Sequence, residues 1–428
     1  MPDEKIGFWP STALVVGNMI GSGIFLLPAS LAIYGGISLL GWVIAAAGAM
    51  LLAVVFGNLS RYVPDSTGGP YAYTKISLGE FPAYLVAWGY WISIWSTNAA
   101  IAVALVGYLA VFFPVLSTDP MAAILTGLSF IWLITWVNTK SLQTVGLVQL
   151  ATTVLKVAPI TVIGLLGLFY VKEAGAFPAF NLTGESNISA LTATVTLTFF
   201  AFLGIESATI PSANIKDAGR TVKKATIVGT MIAIVAYVLS SGVIMALIPA
   251  ETLATSSAPF ADAAAVMWGE PARKLVALGA VISTLGALNG WILIQGQIPM
   301  AAAHDKLFPQ VFGKQNKQGA PAVGIVLSSI LVSVLMMTNY HKSLVEAFTF
   351  MMLLSTLSVL TPYLFSIASY GLMLFEREEQ GKTRKLVVAL LAFCFSIWIV
   401  IGCGHEVVFL GFILLMMGIP FYVWLKRT

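Results

Sequence analysis

Repeated apolar runs of about 20 residues constrain this chain more than any other feature of its sequence. A membrane-spanning helix needs about 20 largely apolar residues to cross the hydrocarbon core. Only 9% of the 428 residues are charged, whereas a soluble globule carries roughly a quarter. We therefore expect an all-α integral membrane protein. Hydropathy predicts twelve spans, at 10–33, 37–60, 83–113, 120–138, 144–171, 190–213, 225–249, 275–300, 321–338, 345–375, 386–403 and 406–425.

The distribution of Lys and Arg predicts the topology. Seventeen of the 22 basic residues lie in loops on the side of the N-terminus, and four lie in the opposite loops. Basic loops face the cytoplasm, so an even number of spans places both termini there. The net charge of +4 therefore reflects topology, and we expect a multi-pass protein of the cell membrane with no nucleic acid partner.

The sequence predicts no cofactor, metal site or disulfide. Its two cysteines, Cys394 and Cys403, both fall in the late apolar stretch, and only three histidines are available as further ligands. A short polar lead is followed by a long apolar run without a small-residue cleavage site. We therefore expect this run to be retained as the first span rather than removed as a signal peptide.

Two ionisable residues fall deep inside predicted spans. Lys156 lies in the middle of span 5 and Glu206 lies within span 6. A charge at bilayer depth costs several kcal/mol unless it is paired or neutralised, so such residues are candidates for function. The alternative for each is a snorkelling residue or a structural pair.

Span 1 contains three glycines, Gly17, Gly21 and Gly23, within seven residues. Glycine is a poor helix former, and unwound backbone at bilayer depth is tolerated where it lines a cavity or is buried in protein. A break here would expose backbone N–H groups from about Ser22 onward, and these suit a carboxylate. The alternative is a small-residue face for helix packing.

Span 6 has a similar interruption, with Gly204 beside Glu206 and Ser207. Spans 1 and 6 each begin a block of five, and paired interrupted helices in two halves point to an inverted-repeat transporter. Carbonyls freed near Phe200 would accept hydrogen bonds from an ammonium group, so the pair suits a zwitterion. We predict one domain over 1–428, with repeats at 10–171 and 190–375 and peripheral helices at 386–425.

Four sequence motifs resemble those of the amino acid–polyamine–organocation superfamily. They are Gly-Asn-Met-Ile-Gly-Ser-Gly-Ile-Phe-Leu-Leu-Pro at 17–28, Gly-Gly-Pro-Tyr-Ala-Tyr at 68–73, Phe-Leu-Gly-Ile-Glu-Ser-Ala at 202–208 and Asp-Lys-Leu-Phe-Pro at 305–309. The chain is most similar to the basic amino acid/polyamine antiporter group, over about residues 7 to 425. This resemblance implies a leucine-transporter-like fold of 5+5 helices, with broken helices 1 and 6 and two peripheral helices.

The resemblance also implies roles for individual residues. Those matching positions that contact the substrate are Asn18, Ile20, Ser22, Gly23, Asn98, Ile101, Phe200, Leu203, Trp291 and Ser355. Those matching gating or proton-coupling positions are Tyr90, Glu206, Tyr363 and Lys156. Two departures stand out: Phe200 replaces a tryptophan of the arginine exchangers, and Lys156 resembles the span 5 lysine of proton-coupled permeases.

These observations leave two transport mechanisms open. Trp291, Asn98 and Ser355 favour exchange of a cationic amino acid for a related amino acid or its decarboxylated amine. Lys156 favours a proton-coupled carrier of neutral amino acids. The sequence shows no convergent set of catalytic groups, which an intramembrane enzyme would need. It also shows no charged rings or filter motif, which are typical of a channel. The expected partners are a small amino acid or amine and the lipid bilayer, and a homodimer stays open.

Overall fold

The computed structural model describes residues 6–21, 23–64, 68–140, 157, 159–171, 177–210, 215–378 and 380–427. Helices account for most of this part of the chain. They are α1 (Phe8–Met19), α2 (Gly23–Ala32), α3 (Ile37–Tyr62), α4 (Pro70–Leu78), α5 (Glu80–Leu109), α6 (Val115–Thr118), α7 (Pro120–Asn138), α8 (Pro159–Phe169), α9 (Asn187–Phe199), α10 (Ala218–Leu247), α11 (Ala250–Ala254), α12 (Pro259–Trp268), α13 (Glu270–His304), α14 (Ala322–Thr338), α15 (Leu344–Phe375), α16 (Lys382–Gly402), α17 (His405–Met416) and α18 (Gly418–Arg427).

The predicted spans correspond to these helices. Among the described residues, ten helical segments are long and apolar enough to cross a membrane, and α8 and α14 are shorter apolar helices. The prediction for 120–138 coincides with α7, and most other edges differ by a few residues. The first part of the predicted span 144–171 lies outside the described residues. The all-α membrane class is therefore confirmed.

Local sequence signals explain where several helices begin. Asp119 precedes α7, and its carboxylate accepts hydrogen bonds from the backbone N–H groups of Met121 and Ala122 at 2.9 and 3.2 Å. Ser343 precedes α15 and forms a reciprocal capping box with Glu346. Such caps satisfy N–H groups that have no partner within the helix, so they fix the start of each span.

Helix α5 lies at the centre of the molecule, where it packs against α15, α13, α4 and α7. Helix α3 packs against α10 and α9, and α1 packs against α10. By contrast, α16–α18 expose much of their outward surface, as at Ile401 (70% exposed) and Phe409 (69% exposed). Such apolar faces suit contact with lipid rather than with water.

The two termini lie on one face of the molecule. The backbone N–H of Lys216 donates to the carbonyl of Ile6 at 2.9 Å, which joins the N-terminal segment to the connection after α9. The backbone N–H of Gly68 donates to the carbonyl of Ile210 at 3.1 Å, which joins this connection to the loop before α4. Near the C-terminus, Lys426 forms an ion pair with Glu80 at the start of α5, immediately after α4.

Two further contacts extend the same face. Lys75 of α4 forms an ion pair with Asp305 at 3.2 Å, and Asn316 donates its side-chain N–H to the carbonyl of Thr139 at 2.7 Å. Burial raises the pKa of Tyr71, and the negative charge and hydrogen bond of Asp305 raise it further. The loops rich in Lys and Arg are thus linked to one another.

Candidate functional site

The first predicted span is interrupted between α1 and α2. Helix α1 ends at Met19, and Ile20 leaves the helix with φ −76° and ψ 78° while its N–H still donates to Val16. Helix α2 then begins at Gly23. The N–H groups in the first turn of a helix have no partner within that helix, and they carry the positive end of its dipole. The start of α2 is therefore suited to an anionic group.

The sixth predicted span is interrupted after α9. One 3-10 turn spans Phe200–Phe202, Leu203 then becomes extended with ψ 136°, and a second 3-10 turn spans Ser207–Thr209. Between them Gly204 has φ +102°, a conformation that residues with a Cβ atom rarely adopt. The glycine at this position is thus required by the break.

The two interruptions lie against each other. A Cβ atom placed on Gly204 would lie 3.3 Å from the carbonyl carbon of Asn18. A Cβ atom placed on Gly23 would lie 3.0 Å from the ring of Phe200. Glycine therefore allows both close approaches, and the prediction that helices 1 and 6 are broken is confirmed.

Glu206 connects the second interruption to two long helices. The hydroxyl of Tyr90 on α5 donates to Oε1 of Glu206 at 2.5 Å, and the hydroxyl of Tyr363 on α15 donates to Oε2 at 2.5 Å. Glu206 is 0% exposed, and it is the one buried Asp, Glu, Lys or Arg within the described ranges. Both of its oxygens are therefore engaged, and three parts of the fold are held together.

Asn98 of α5 belongs to a second buried polar network. Its Nδ2 donates to Oε1 of Gln295 on α13 at 2.7 Å. The Nε2 of Gln295 donates to the carbonyl of Ile325 at 3.1 Å and to the hydroxyl of Ser329 at 2.9 Å, both on α14. Oδ1 of Asn98 is buried and has no hydrogen-bond partner in the described part of the chain.

Ser355 lies in a contact between α15 and α5. Its hydroxyl donates to the carbonyl of Ser93 at 2.9 Å and lies 2.6 Å from the hydroxyl of Thr97. Ser355 is 0% exposed. This side chain thus already connects two helices, so a substrate contact by Ser355 would require these bonds to rearrange.

The remaining predicted contacts are apolar or aromatic. Phe200 packs edge-on against Phe348, with ring centroids 6.1 Å apart. Trp291 and Leu203 are each 5% exposed and Ile101 is 0% exposed. Trp291 precedes Gln295 by one turn of α13, so both side chains lie on the same face of that helix.

Two of the predicted site residues, Ser22 and Lys156, lie outside the described residues. The structure also identifies two residues outside this predicted set. Gln295 and Thr97 contact predicted site residues directly. The spacing of Gln295, four residues after Trp291 on one helix, is the sequence signal that points to it.

Comparison with known proteins identifies the family. The family model for amino acid permeases matches residues 6–420. The chain belongs to the amino acid permease family. It is 32% identical to the arginine/ornithine antiporter of Pseudomonas aeruginosa, an alignment covering 97% of this chain and 89% of the relative. It is 33% identical to the cadaverine/lysine antiporter of Escherichia coli K12, covering 92% of this chain and 89% of the relative.

A solved structure supports the fold of this family member. A manganese transporter of Eremococcus coleocola, crystallised with an aromatic bis-isothiourea substituted compound, superposes with a TM-score of 0.58. The match covers 97% of this chain and 93% of the transporter at 16% sequence identity. At this identity the likeness shows a shared membrane-transporter fold and carries no information on the substrate.

Proposed function

We propose that the protein exchanges a cationic amino acid for a related amino acid or its decarboxylated amine across the cell membrane. The observation that carries this proposal is the pair of apposed helix breaks, at Ile20 and at Leu203 to Gly204. The names of the relatives, which are exchangers of basic amino acids and amines, supply the substrate class. They also favour exchange over proton-coupled transport of neutral amino acids.

The backbone of a zwitterionic substrate would bind between the two breaks. Its carboxylate would accept hydrogen bonds from N–H groups at the start of α2, in the segment that contains Asn18, Ile20, Ser22 and Gly23. Its ammonium group would donate to carbonyls freed between Phe200 and Leu203. Opposite charges would then meet opposite helix ends, which is how the dipoles of broken helices stabilise a bound zwitterion.

The substrate side chain would extend between α5 and α13. Trp291 offers a ring face to a guanidinium or ammonium group, a contact worth about 2 kcal/mol when desolvated. Oδ1 of Asn98 offers a hydrogen-bond acceptor that has no partner in the part of the chain that the structure describes. Ile101 would complete this part of the site, and Ser355 would join it once its bonds to Ser93 and Thr97 rearrange. Phe200, packed against the start of α2, would cover the substrate on one side.

The inner gate of the carrier would be formed by Glu206, Tyr90 and Tyr363. Their two short hydrogen bonds join α5, α15 and the broken sixth span, so alternating access through this route requires them to separate. A carboxyl group released from two tyrosines can also exchange a proton with the cytoplasm. Lys156 is retained as a candidate for proton coupling on sequence grounds alone.

We further infer that both termini face the cytoplasm and that residues 1–428 form one transporter domain with two repeats. The linked face that carries the termini also carries most of the basic loop residues, as the positive-inside rule requires for the cytoplasmic side. A cysteine placed after Lys426 should therefore react with a permeant maleimide, while a charged maleimide added outside intact cells leaves it unlabelled.

Counterflow in proteoliposomes tests the proposed function. Vesicles preloaded with ornithine should take up labelled arginine saturably and many times faster than empty vesicles, and external putrescine and lysine should be compared as competitors. Uptake of alanine into empty vesicles, driven by a proton gradient, would instead support the neutral permease. Flux that does not saturate and carries current would refute a carrier.

A further inference from the structure

We propose that Gln295 is a positioning residue, which fixes the amide of Asn98 so that its oxygen faces the substrate side chain. This inference rests on the proposed function, because it takes Asn98 as a substrate contact. It concerns a residue that does not itself need to touch the substrate. The supporting observation is the buried hydrogen-bond chain from Asn98 through Gln295 to α14.

The orientation of Gln295 follows from its neighbour on α14. The carbonyl of Ile325 can only accept a hydrogen bond, so the amide atom 3.1 Å from it must be the Nε2 donor. The hydroxyl of Ser329 lies 2.9 Å from the same nitrogen and donates to the same carbonyl at 3.0 Å. Oε1 of Gln295 must therefore point the other way, towards Asn98.

The orientation of Asn98 then follows from that of Gln295. Oε1 can only accept, so the atom of Asn98 that lies 2.7 Å from it is the Nδ2 donor. The remaining amide atom, Oδ1, is a buried acceptor with no partner among the described residues. Buried acceptors are usually paired in folded proteins, and in this proposal the cationic group of the substrate is the partner of Oδ1.

The position of the pair agrees with this role. Asn98 and Gln295 are both 0% exposed, and Gln295 lies one turn after Trp291 on the same face of α13. An amide rotated by 180° would present N–H groups instead of oxygen, and these would repel an ammonium or guanidinium group. Gln295 therefore decides whether the site offers an acceptor or a donor to the side chain.

The decisive comparison uses ornithine and norvaline, which share a side-chain length but differ in the terminal amine. Gln295→Leu removes the constraint on Asn98, so the KM for ornithine exchange should rise roughly ten-fold, as expected for loss of one hydrogen bond to a charged group. The KM for norvaline should stay within about two-fold of wild type, since norvaline has no terminal amine to contact the Asn98 oxygen. The kcat for both compounds should also stay within about two-fold, since this contact is expected to affect binding only.

Two further variants separate positioning from packing. Ser329→Ala removes one acceptor of Nε2 but keeps the Ile325 carbonyl, so the ornithine-to-norvaline ratio should stay within about two-fold of wild type. In an Asn98→Leu background, Gln295→Leu should have no further effect on the ratio, because a positioning residue acts only through its target. Where Gln295→Leu fails to fold, Gln295→Met provides a substitution of similar shape.

The possible results are distinguishable. An equal loss for ornithine and norvaline in Gln295→Leu would make the residue structural and overturn the inference. A further change in the ratio beyond that of Asn98→Leu alone would also overturn it, since Gln295 would then act by another route. If the wild-type protein exchanges neither compound nor any basic amino acid, the proposed function fails first.

Discussion

Glu206 and Asn98 are both buried polar side chains that connect α5 to other parts of the fold, but they differ in how fully they are bonded. Each carboxylate oxygen of Glu206 receives a tyrosine hydroxyl, whereas Oδ1 of Asn98 has no partner among the described residues. The first arrangement is complete without a ligand. We propose that the bonds to Glu206 form a closed gate and that the Asn98 oxygen contributes to the binding site.

This difference has an energetic consequence. Opening the proposed gate would break two hydrogen bonds to Glu206, and a bond to a charged group contributes about 1.5–3 kcal/mol. A substrate bound at the proposed site would add a hydrogen bond to Oδ1 of Asn98, which has no partner among the described residues. Substrate binding would offset the cost of gate opening only to the extent that this bond is stronger with the gate open than with the gate closed.

The largest effect is expected from Glu206→Ala. The substitution leaves two buried tyrosine hydroxyls without their acceptor, at about 1–3 kcal/mol each, so we expect a lower melting temperature and little exchange.

Glu206→Gln keeps an acceptor and fills the same space, so it should fold normally. Exchange measured from pH 5 to pH 8 should lose its pH dependence in Glu206→Gln, and an unchanged pH profile would remove the proton role of Glu206.

A smaller effect is expected from Tyr90→Phe and Tyr363→Phe, each of which removes one of the two bonds. Each should lower thermal stability by about 1–3 kcal/mol and raise the exchange rate, because opening the proposed gate then breaks one bond fewer. Tyr237→Phe is a matched control, since Tyr237 is 0% exposed and its hydroxyl has no partner within the described ranges. Equal destabilisation in all three variants would show that the bonds to Glu206 contribute nothing specific.

On the binding side, Trp291→Leu should slow arginine exchange more than alanine exchange. Loss of a desolvated cation–π contact of about 2 kcal/mol corresponds to roughly a 30-fold difference in kcat/KM. Trp291→Phe keeps an aromatic face and should recover part of this difference. An equal loss for arginine and alanine would mean that the ring packs against protein rather than against the cation.

Glu206 and Gln295 also differ in whether the sequence alone predicts their importance. Glu206 can be identified from the sequence because placing a charged side chain deep inside an apolar span costs free energy, so such residues usually have a function. Gly204, two residues earlier, indicates the break. Gln295 was not singled out because an amide in a span is unremarkable until its partners are known. Its role depends on the Ile325 carbonyl and on Asn98, which are 30 and 197 residues away in the chain.

Helix boundaries can likewise be predicted where local residues mark them, and not where they depend on packing. Hydropathy located α7 because an acidic cap and a proline start it abruptly after a polar turn. It merged α1 with α2 and α17 with α18, since both halves of each pair are apolar. In the first pair glycines predicted the interruption, whereas the break near Gly418 depends on packing, with the hydroxyl of Tyr84 donating to its carbonyl.

The smallest effect is expected outside the membrane, at the ion pair between Lys75 and Asp305. The two side chains are 32% and 40% exposed and lie 3.2 Å apart, and pairs of this kind contribute about 0.2–1 kcal/mol. Because the pair joins α4 to the end of α13 on the face of the proposed inner gate, Asp305→Asn should favour opening and raise the exchange rate by less than about five-fold.

The effect of Asp305→Asn should also shrink as salt rises, since about 1 M salt shortens the screening length to roughly 3 Å. Asp262→Asn is the control on the opposite face, where Arg273 pairs with Asp262 at 3.0 Å. If both variants change exchange equally, the pair at Asp305 has no particular connection with the gate. A faster rate in Asp305→Asn alone, lost at high salt, would mean that the gate is held in two layers: buried bonds to Glu206 that set most of the barrier, and a screened surface pair that adjusts it.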